Sequence, residues 1–354
     1  MGMFKYLIIL SFIFLFYSCD QKSAIQNKVN TDFLPHPVLD ESKSVSRIAM
    51  GSCSRPDYAQ PLWSPILAND PDVWIWLGDI VYGDTEKMDV LRRKYQLQDD
   101  IKGYQALKNK VPVIGIWDDH DYGVNDGGKE YPMRAESRDV LFDFLKVPKS
   151  NPAWERAGAY QSYTVGEKGK QTKIILLDAR YFRDQVIRKH GQNPQYLPNE
   201  QGTILGEAQW KWLEEELANS EADVHIIASG IQVLPTQHNY EKWNTFAHER
   251  QRLFDLIVKN QIPGVVFISG DRHIGEISKM DVPGLNYPLI ELTTSGLTHT
   301  FEGASEPNDK RIGKLTDQLN FGLIEINWDN PKPQIKFSVK GVDNKELIVY
   351  QPRK

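Results

Sequence analysis

Cysteine is scarce. The chain of 354 residues holds two, Cys19 and Cys53, so a fold built on a disulfide framework is excluded. Extended blocks of Lys and Arg are missing and the net charge is -5, which argues against a surface made to neutralise the phosphates of nucleic acid. Mild acidity of this size serves solubility. There is no Gly-x-Ser-x-Gly string, so the strained serine elbow of a serine hydrolase has no support. Internal repeats and low-complexity blocks are also missing. The apolar run from Tyr6 to Tyr17 falls short of the roughly 20 residues a helix needs to span a bilayer.

What that run does fit is the h-region of a signal peptide, since it follows Lys5 and stops at Ser18-Cys19. The string Leu15-Phe16-Tyr17-Ser18-Cys19 looks like a bacterial lipobox, in which the cysteine is lipidated and becomes the mature N-terminus. Tyr17 is bulky for that pattern, and an ordinary cleaved signal peptide or a single anchor helix are the alternatives. The expected location is the cell envelope, lipid-anchored, periplasmic or outer-membrane facing. With lipid on Cys19, Cys53 has no disulfide partner and is either a buried thiol or a metal ligand. Residues 1–19 therefore read as a lipoprotein signal peptide, and residues 20–46, polar and broken by Pro35 and Pro37, as a flexible tether. Residues 47–354 read as a single domain, for which 40% hydrophobic residues supply a sizeable core.

In that domain short apolar runs alternate with amphipathic stretches, the pattern of an α/β protein. Strands are expected at Ile48-Met50, Val73-Leu77, Val111-Trp117, Ile174-Leu177, Val224-Ala228, Val265-Ser269 and Leu289-Thr293. Helices are expected near 85–109, 134–146, 206–219 and 246–260, the third marked by Trp210, Leu213 and Leu217 at helical spacing. Phe321-Trp328, Ile335-Lys340 and Leu347-Tyr350 read as antiparallel strands that complete a sheet.

Four of the apolar strands end in residues able to hold a metal. They are Gly51-Ser52-Cys53, Gly78-Asp79-Ile80-Val81-Tyr82, Asp118-Asp119-His120-Asp121 and Gly270-Asp271-Arg272-His273. Ligands gather beyond the carboxyl ends of strands in open α/β sheets, so the four endings can converge. Each has a plain alternative: a turn with a buried thiol, an Asp that caps a turn, an exposed acidic loop. Three carboxylates around one histidine, however, repel one another unless solvent or a cation compensates.

These strings resemble the calcineurin-like metallophosphoesterase motifs Gly-Asp-x-x-(Asp/Tyr), Gly-Asn-His-(Asp/Glu) and Gly-His-x-His. The usual opening Asp-x-His is replaced by Gly51-Ser52-Cys53, the Asn by Asp119, and the first His of the last motif by Asp271. Those departures mark the alkaline phosphatase D, or PhoD-like, branch. Leu177-Asp178-Ala179-Arg180 and Leu205-Gly206-x-x-Gln209-x-x-Trp212-Leu213 are similar to that branch as well. The likeness runs from about Arg47 to Leu297, without the N-terminal β domain of longer members.

The resemblance implies an α/β fold, the calcineurin-like sandwich of two mixed β-sheets flanked by helices. It also implies hydrolysis of phosphate mono- or diesters by a hydroxide activated at a dinuclear metal centre. Asp79 would bridge the metals, with Cys53, Tyr82 and His273 completing the first site and Asp119 and Asp271 holding the second. Asp118 and Gln232 are further candidates as ligands or pocket residues. Fe3+ suits the first site and Ca2+ the second, with Mn2+, Mg2+ or Zn2+ as alternatives. His120 is the candidate to protonate the leaving alkoxide, with Asp121 orienting its ring, or else it supports Asp119. Arg180 and Arg272 are candidates to meet phosphate oxygens, or to form structural salt bridges. His225 reads as a core histidine, and His238 and His299 as pocket residues. The expected partners are a phosphate ester and, through the N-terminal lipid, a membrane; the chain is expected to be a monomer with no nucleic-acid-binding surface. The alternative function is a non-catalytic, metal-stabilised binding lipoprotein on the same fold.

Overall fold

The run Val73-Trp74-Ile75-Trp76-Leu77 carries no polar side chain on either face of its pleat, and every one of its residues is buried. Such a strand needs a layer on each side. The computed structural model, which describes Met1 and residues 32–189, 196–330 and 332–352, supplies both layers. The signal peptide, Cys19 and the first part of the tether lie outside the described residues.

In chain order the elements begin with β1 (Arg47–Gly51), α1 (Trp63–Ala68), β2 (Val73–Leu77), α2 (Met88–Asp99), α3 (Lys102–Lys108), β3 (Val113–Ile116), α4 (Asp119–Tyr122) and α5 (Arg134–Phe144). They continue with β4 (Gln161–Val165), β5 (Thr172–Leu176), β6 (Ile187–Arg188), β7 (Tyr196–Leu197), α6 (Gly206–Ala218), β8 (Val224–Ser229) and α7 (Ala247–Lys259). The remainder is β-rich: β9 (Val265–Ser269), β10 (Gly275–Met280), β11 (Leu289–Thr294), β12 (Phe321–Asn327), β13 (Gln334–Lys340) and β14 (Glu346–Tyr350).

Two six-stranded mixed sheets result, ordered β14-β13-β12-β1-β2-β3 and β10-β11-β9-β8-β5-β4. In the first, β1, β2 and β3 run parallel and the C-terminal strands add on antiparallel. In the second, β5, β8, β9 and β11 run parallel between antiparallel edges. Side-chain alternation sorts the layers. Val224, Ile226 and Ala228 of β8 join the core shared with the first sheet, while Ile227 joins Trp210, Leu213, Leu253 and Ile257 of α6 and α7. Trp74 and Trp76 meet Trp63 of α1 edge-on, at centroid distances of 5.3 and 5.7 Å.

The fold class is the expected one, with three local differences. The helix expected over 85–109 is broken into α2 and α3 at Ile101, whose ψ of 116° is extended. The break turns Asp99 inward, where it accepts from Lys108 Nζ at 2.5 Å and from the Leu34 amide at 2.6 Å. The edge strands β4 and β10 were not anticipated, because both mix polar residues with apolar ones; Glu276 of β10 is buried and neutralised by Arg311 at 2.6 Å. The tether ends before residue 46. Phe33 is buried between Tyr95 and Phe144, at centroid distances of 6.5 and 5.4 Å, because a lone aromatic in a polar stretch gains by leaving water. No helix among the described residues is long and apolar enough to cross a membrane.

Candidate metal centre

Each chemistry-bearing side chain follows the carboxyl end of a parallel strand. Cys53 follows β1, Asp79 and Tyr82 follow β2, Asp118 and Asp119 follow β3, Asp271 and His273 follow β9, and His299 follows β11. The chain leaves these strands in tight, left-handed turns, with φ of 58° at Cys53, 48° at Asp79, 65° at Asp271 and 54° at His273. Such angles cost of order 1–3 kcal/mol each and persist only where the surroundings enforce them. Gly78 has φ of 89°, and a Cβ there would lie 2.3 Å from Asp118 Cβ; one at Gly230 would lie 2.2 Å from Asp118 Oδ1. These two glycines let the ends of β2 and β8 close on one carboxylate.

Three overlapping groups offer ligand atoms within 4.8 Å of one another: Cys53, Asp79 and His273; Asp79, Asp119 and His120; and Asp118, Asp119 and Asp271. Asp79 belongs to the first two and Asp119 to the last two, so the groups form one continuous cluster. Cys53 Sγ lies 3.3 Å from Asp79 Oδ2 and 2.9 Å from Ser295 Oγ. Tyr82 Oη stands 3.0 Å from Nε2 of both His273 and His299, and 3.4 Å from Asp79 Oδ2. Cys53, Asp79, Tyr82, Asp119, Asp271 and His273 are thus brought together, with Asp118 and His120 beside them.

The electrostatics are those of an acidic, dry cluster. Burial and the neighbouring Asp119 push Asp79 well above the usual carboxylate range, and burial does the same for Asp118 despite Arg180. Asp271 is pushed up to about 7 by burial, against the pull of Arg272. At Asp119 burial is outweighed by Arg180 and His120, and the carboxyl falls below its ordinary value. Burial raises the Cys53 thiol and the Tyr82 phenol, and lowers His273 to about 3, which leaves its imidazole neutral. Asp79 Oδ1 and Asp118 Oδ2 are buried without any hydrogen-bond partner. Orphaned carboxylate oxygens this close together fit cations: a positive charge among them reverses the repulsion and displaces the thiol and phenol protons. The donor set also divides by softness, with S, phenolate O and imidazole N at one end and carboxylates at the other.

Four expectations need correction or refinement. Asp121 does not orient His120. Its fully buried carboxylate accepts from the backbone amides of Asp118, Asp79 and Ile80 at 2.7, 3.2 and 3.1 Å and closes the first turn of α4. Asp84 orients the ring instead, with Oδ1 and Oδ2 at 2.8 and 2.9 Å from His120 Nδ1. Burial lowers the basicity of that imidazole, but Asp84, Asp119 and Asp79 outweigh it and raise the value to about 10. Arg180 is fully enclosed and cannot meet a phosphate; its Nε donates to Asp118 Oδ1 at 2.7 Å and its NH1 to Glu241 Oε2 at 2.6 Å. Arg272 is equally enclosed, donating to Glu306 and lying over Tyr240. A buried guanidinium must be neutralised where it sits, so both act behind the carboxylates. Gln232 donates its amide to Glu276 and Thr293 at 2.7 and 2.8 Å, while its Oε1, buried and without a partner, remains able to face a cation.

His225 is a satisfied core residue, bonded to the Pro263 carbonyl and to Ser220 Oγ, each at 2.8 Å. His238 is buried beside Arg272 and Lys242, which with burial hold it neutral. Sequence reasoning missed Ser295, whose Oγ also accepts the His273 amide at 2.7 Å. It missed Asp84 too, although Tyr82-Gly83-Asp84 continues a motif already singled out.

Two mixed sheets whose parallel strands deliver an acidic, thiol- and imidazole-bearing cluster to one end are the arrangement of the calcineurin-like fold. A solved structure described as that of PhoD matches 89% of this chain and 70% of its own, with a TM-score of 0.68 at 17% identity. A dimetal phosphatase from Danio rerio matches over 87% of this chain and 99% of its own, with a TM-score of 0.54 at 14% identity. The model of the PhoD-like phosphatase family matches residues 48–323, and the chain belongs to that family. Alkaline phosphatase D of Bacillus subtilis (strain 168) is 23% identical over 198 residues, which are 50% of this chain. The match spans 34% of the length of that relative.

Proposed function

We propose that the chain is a metal-dependent phosphatase or phosphodiesterase acting on phosphate mono- or diesters. The observation that carries this reading is the meeting of Cys53, Asp79, Tyr82, Asp119, Asp271 and His273, from four strand ends, in one buried cluster with orphaned oxygens. Cys53, Tyr82 and His273 would hold one cation, Asp118, Asp119 and Asp271 a second, with Asp79 between. The sulfur, phenolate and imidazole set favours Fe3+, and the carboxylate set favours Ca2+, with Mn2+, Mg2+ or Zn2+ as other occupants. Two cations held there would acidify a water and neutralise charge on the phosphate oxygens.

The protein supplies the rest. His120, gripped through Nδ1 by Asp84, is held to give a proton to the leaving oxygen. Its ring is packed against Tyr82 at 4.2 Å, which fixes its plane. Asp121, Arg180 and Arg272 position the carboxylates from behind. A lipid anchor at Cys19 would place this chemistry in the cell envelope.

Release of nitrophenol from mono- and bis-nitrophenyl phosphate, before and after chelation and with His120→Ala, tests the reading. Hydrolysis that needs metal and falls roughly 100-fold or more in His120→Ala is the expected result. Activity that survives complete metal removal would falsify it. Elemental analysis with a visible spectrum identifies the occupants, since phenolate bound to ferric iron is coloured. Metabolic labelling with palmitate, lost in Cys19→Ser, tests the anchor.

A further inference from the structure

Ser295 follows β11 directly, is fully buried, and touches two members of the cluster. Its Oγ accepts the His273 amide at 2.7 Å and lies 2.9 Å from Cys53 Sγ. A single hydroxyl therefore joins the turn after β9 to the turn after β1.

The residues around it hold that hydroxyl in place. The Ser295 amide donates to the Ile274 carbonyl at 3.0 Å, and the Leu297 amide to the Ser52 carbonyl at 3.2 Å. Thr298 closes on the Cys53 carbonyl twice, through its amide at 3.3 Å and its Oγ1 at 3.1 Å. On the far side the Asn320 amide donates to the Gly296 carbonyl at 2.8 Å. Residues 295–298 thus clamp together two turns that each carry a metal-ligand side chain.

The direction of the contact between Ser295 and Cys53 follows from where the hydrogens are. A backbone N–H can only donate, so Ser295 Oγ is the acceptor toward His273 and its own hydrogen is left for another partner. The Ser52 hydroxyl, 3.7 Å from the sulfur, donates instead to the Thr294 carbonyl at 3.0 Å. Asp79 Oδ2, at 3.3 Å, accepts from the thiol and gives the sulfur nothing. A cysteine that ligates a metal does so as thiolate and has no hydrogen to offer. The Ser295 hydroxyl is then the donor and the sulfur the acceptor.

We propose that Ser295 is a positioning residue of the first metal site, whose hydroxyl aims the Cys53 sulfur and draws charge from it. Hydrogen bonds to a ligating sulfur are a means by which a protein tunes the metal it binds. A sulfur that donates less leaves more positive charge for the oxygens of water and phosphate. The proposal rests on the reading of Cys53 as a metal ligand, and its test separates the two claims.

The experiment loads the full chain with Co2+ and records the thiolate-to-cobalt charge-transfer band, which Cys53→Ser is expected to abolish. Titration of the band gives the dissociation constant of the first site. In Ser295→Ala the sulfur loses its donor, so the band should move to longer wavelength and the dissociation constant should rise roughly tenfold. Ser295→Thr, which keeps the hydroxyl, is expected to restore both. Should Ser295→Ala fail to fold, Ser295→Cys keeps the size with a weaker donor, and the same shift is expected in smaller measure. A band that stays in place or moves to shorter wavelength overturns the role of Ser295 while leaving Cys53 a ligand, and so does a loss of affinity without a shift, which packing alone would explain. A wild type with no thiolate band removes Cys53 from the metal and overturns both claims.

Discussion

The Asp84 carboxylate grips the His120 imidazole with both oxygens, at 2.8 and 2.9 Å from Nδ1. That contact, from a residue with φ of 43° just beyond the β2 motif, fixes the tautomer of the ring and holds a proton on it. Asp84→Asn keeps the size and removes the charge. It is expected to lower kcat roughly 10–100-fold with a small change in KM. Because His120 is raised to about 10 by its carboxylate neighbours, losing one of them lowers its pKa. A proton donor fails as pH rises through its pKa, so the alkaline limb of the kcat profile should move to lower pH in the variant. An unchanged profile would remove Asp84 from the mechanism.

Arg180 has no exposed surface and faces Asp118 and Glu241. Arg180→Met leaves the buried Asp118 carboxylate without its guanidinium partner, while Glu241 keeps Arg183 at 3.1 Å; the loss is expected to cost about 3–5 kcal/mol of folding free energy and to weaken metal retention. Denaturant unfolding and metal content after dialysis measure the two effects. A variant with normal stability, normal metal content and a raised KM would restore the arginine to a substrate-binding role.

The motif residues were legible because metal chemistry restricts them to a few types at the ends of apolar strands: Cys53, Asp79, Tyr82, Asp119, Asp271 and His273 could be named from sequence, and the structure gathers them. Roles that depend on direction were not legible. Asp121 follows His120 in the chain, yet its carboxylate turns back to the amides of Asp118, Asp79 and Ile80, while Asp84 reaches the ring from another turn. Arg180 stayed open between a phosphate ligand and a structural salt bridge, because nothing in a sequence reveals that a side chain is enclosed. The two sheets were readable from their apolar interiors, and the polar edges β4 and β10 were not, since both mix polar residues with apolar ones although each pairs with the next strand in the chain.

Lys108 and Asp99 form an ion pair of 2.5 Å with almost no exposure, and the Leu34 amide donates to the same carboxylate at 2.6 Å. The pair therefore docks the segment around Phe33 onto α2 and α3. Asp99→Ala leaves a buried ammonium and is expected to destabilise by about 3 kcal/mol or more. It should also open the chain near residue 33 to protease, as limited proteolysis with mass analysis would reveal. If Asp99→Ala unfolds like the wild type and is no more readily cut, the docking role is wrong.

His225 provides an acid-sensitive element away from the centre. Its ring is fully buried, and burial lowers its pKa from 6.5 to about 4. The Pro263 carbonyl accepts Nδ1-H and Ser220 Oγ can donate to Nε2, so the neutral tautomer satisfies both nitrogens. Between these two pKa values the unfolded chain binds a proton that the folded one refuses. Stability is therefore present in full above pH 6.5 and is lost as pH falls toward about 4. The histidine alone should account for about 3 kcal/mol across that window. His225→Gln has no proton to gain, so its unfolding free energy should decline less between neutral and acid pH than that of the wild type. Urea unfolding at several pH values across the window gives the two slopes, and parallel slopes would show that His225 is not the group responsible.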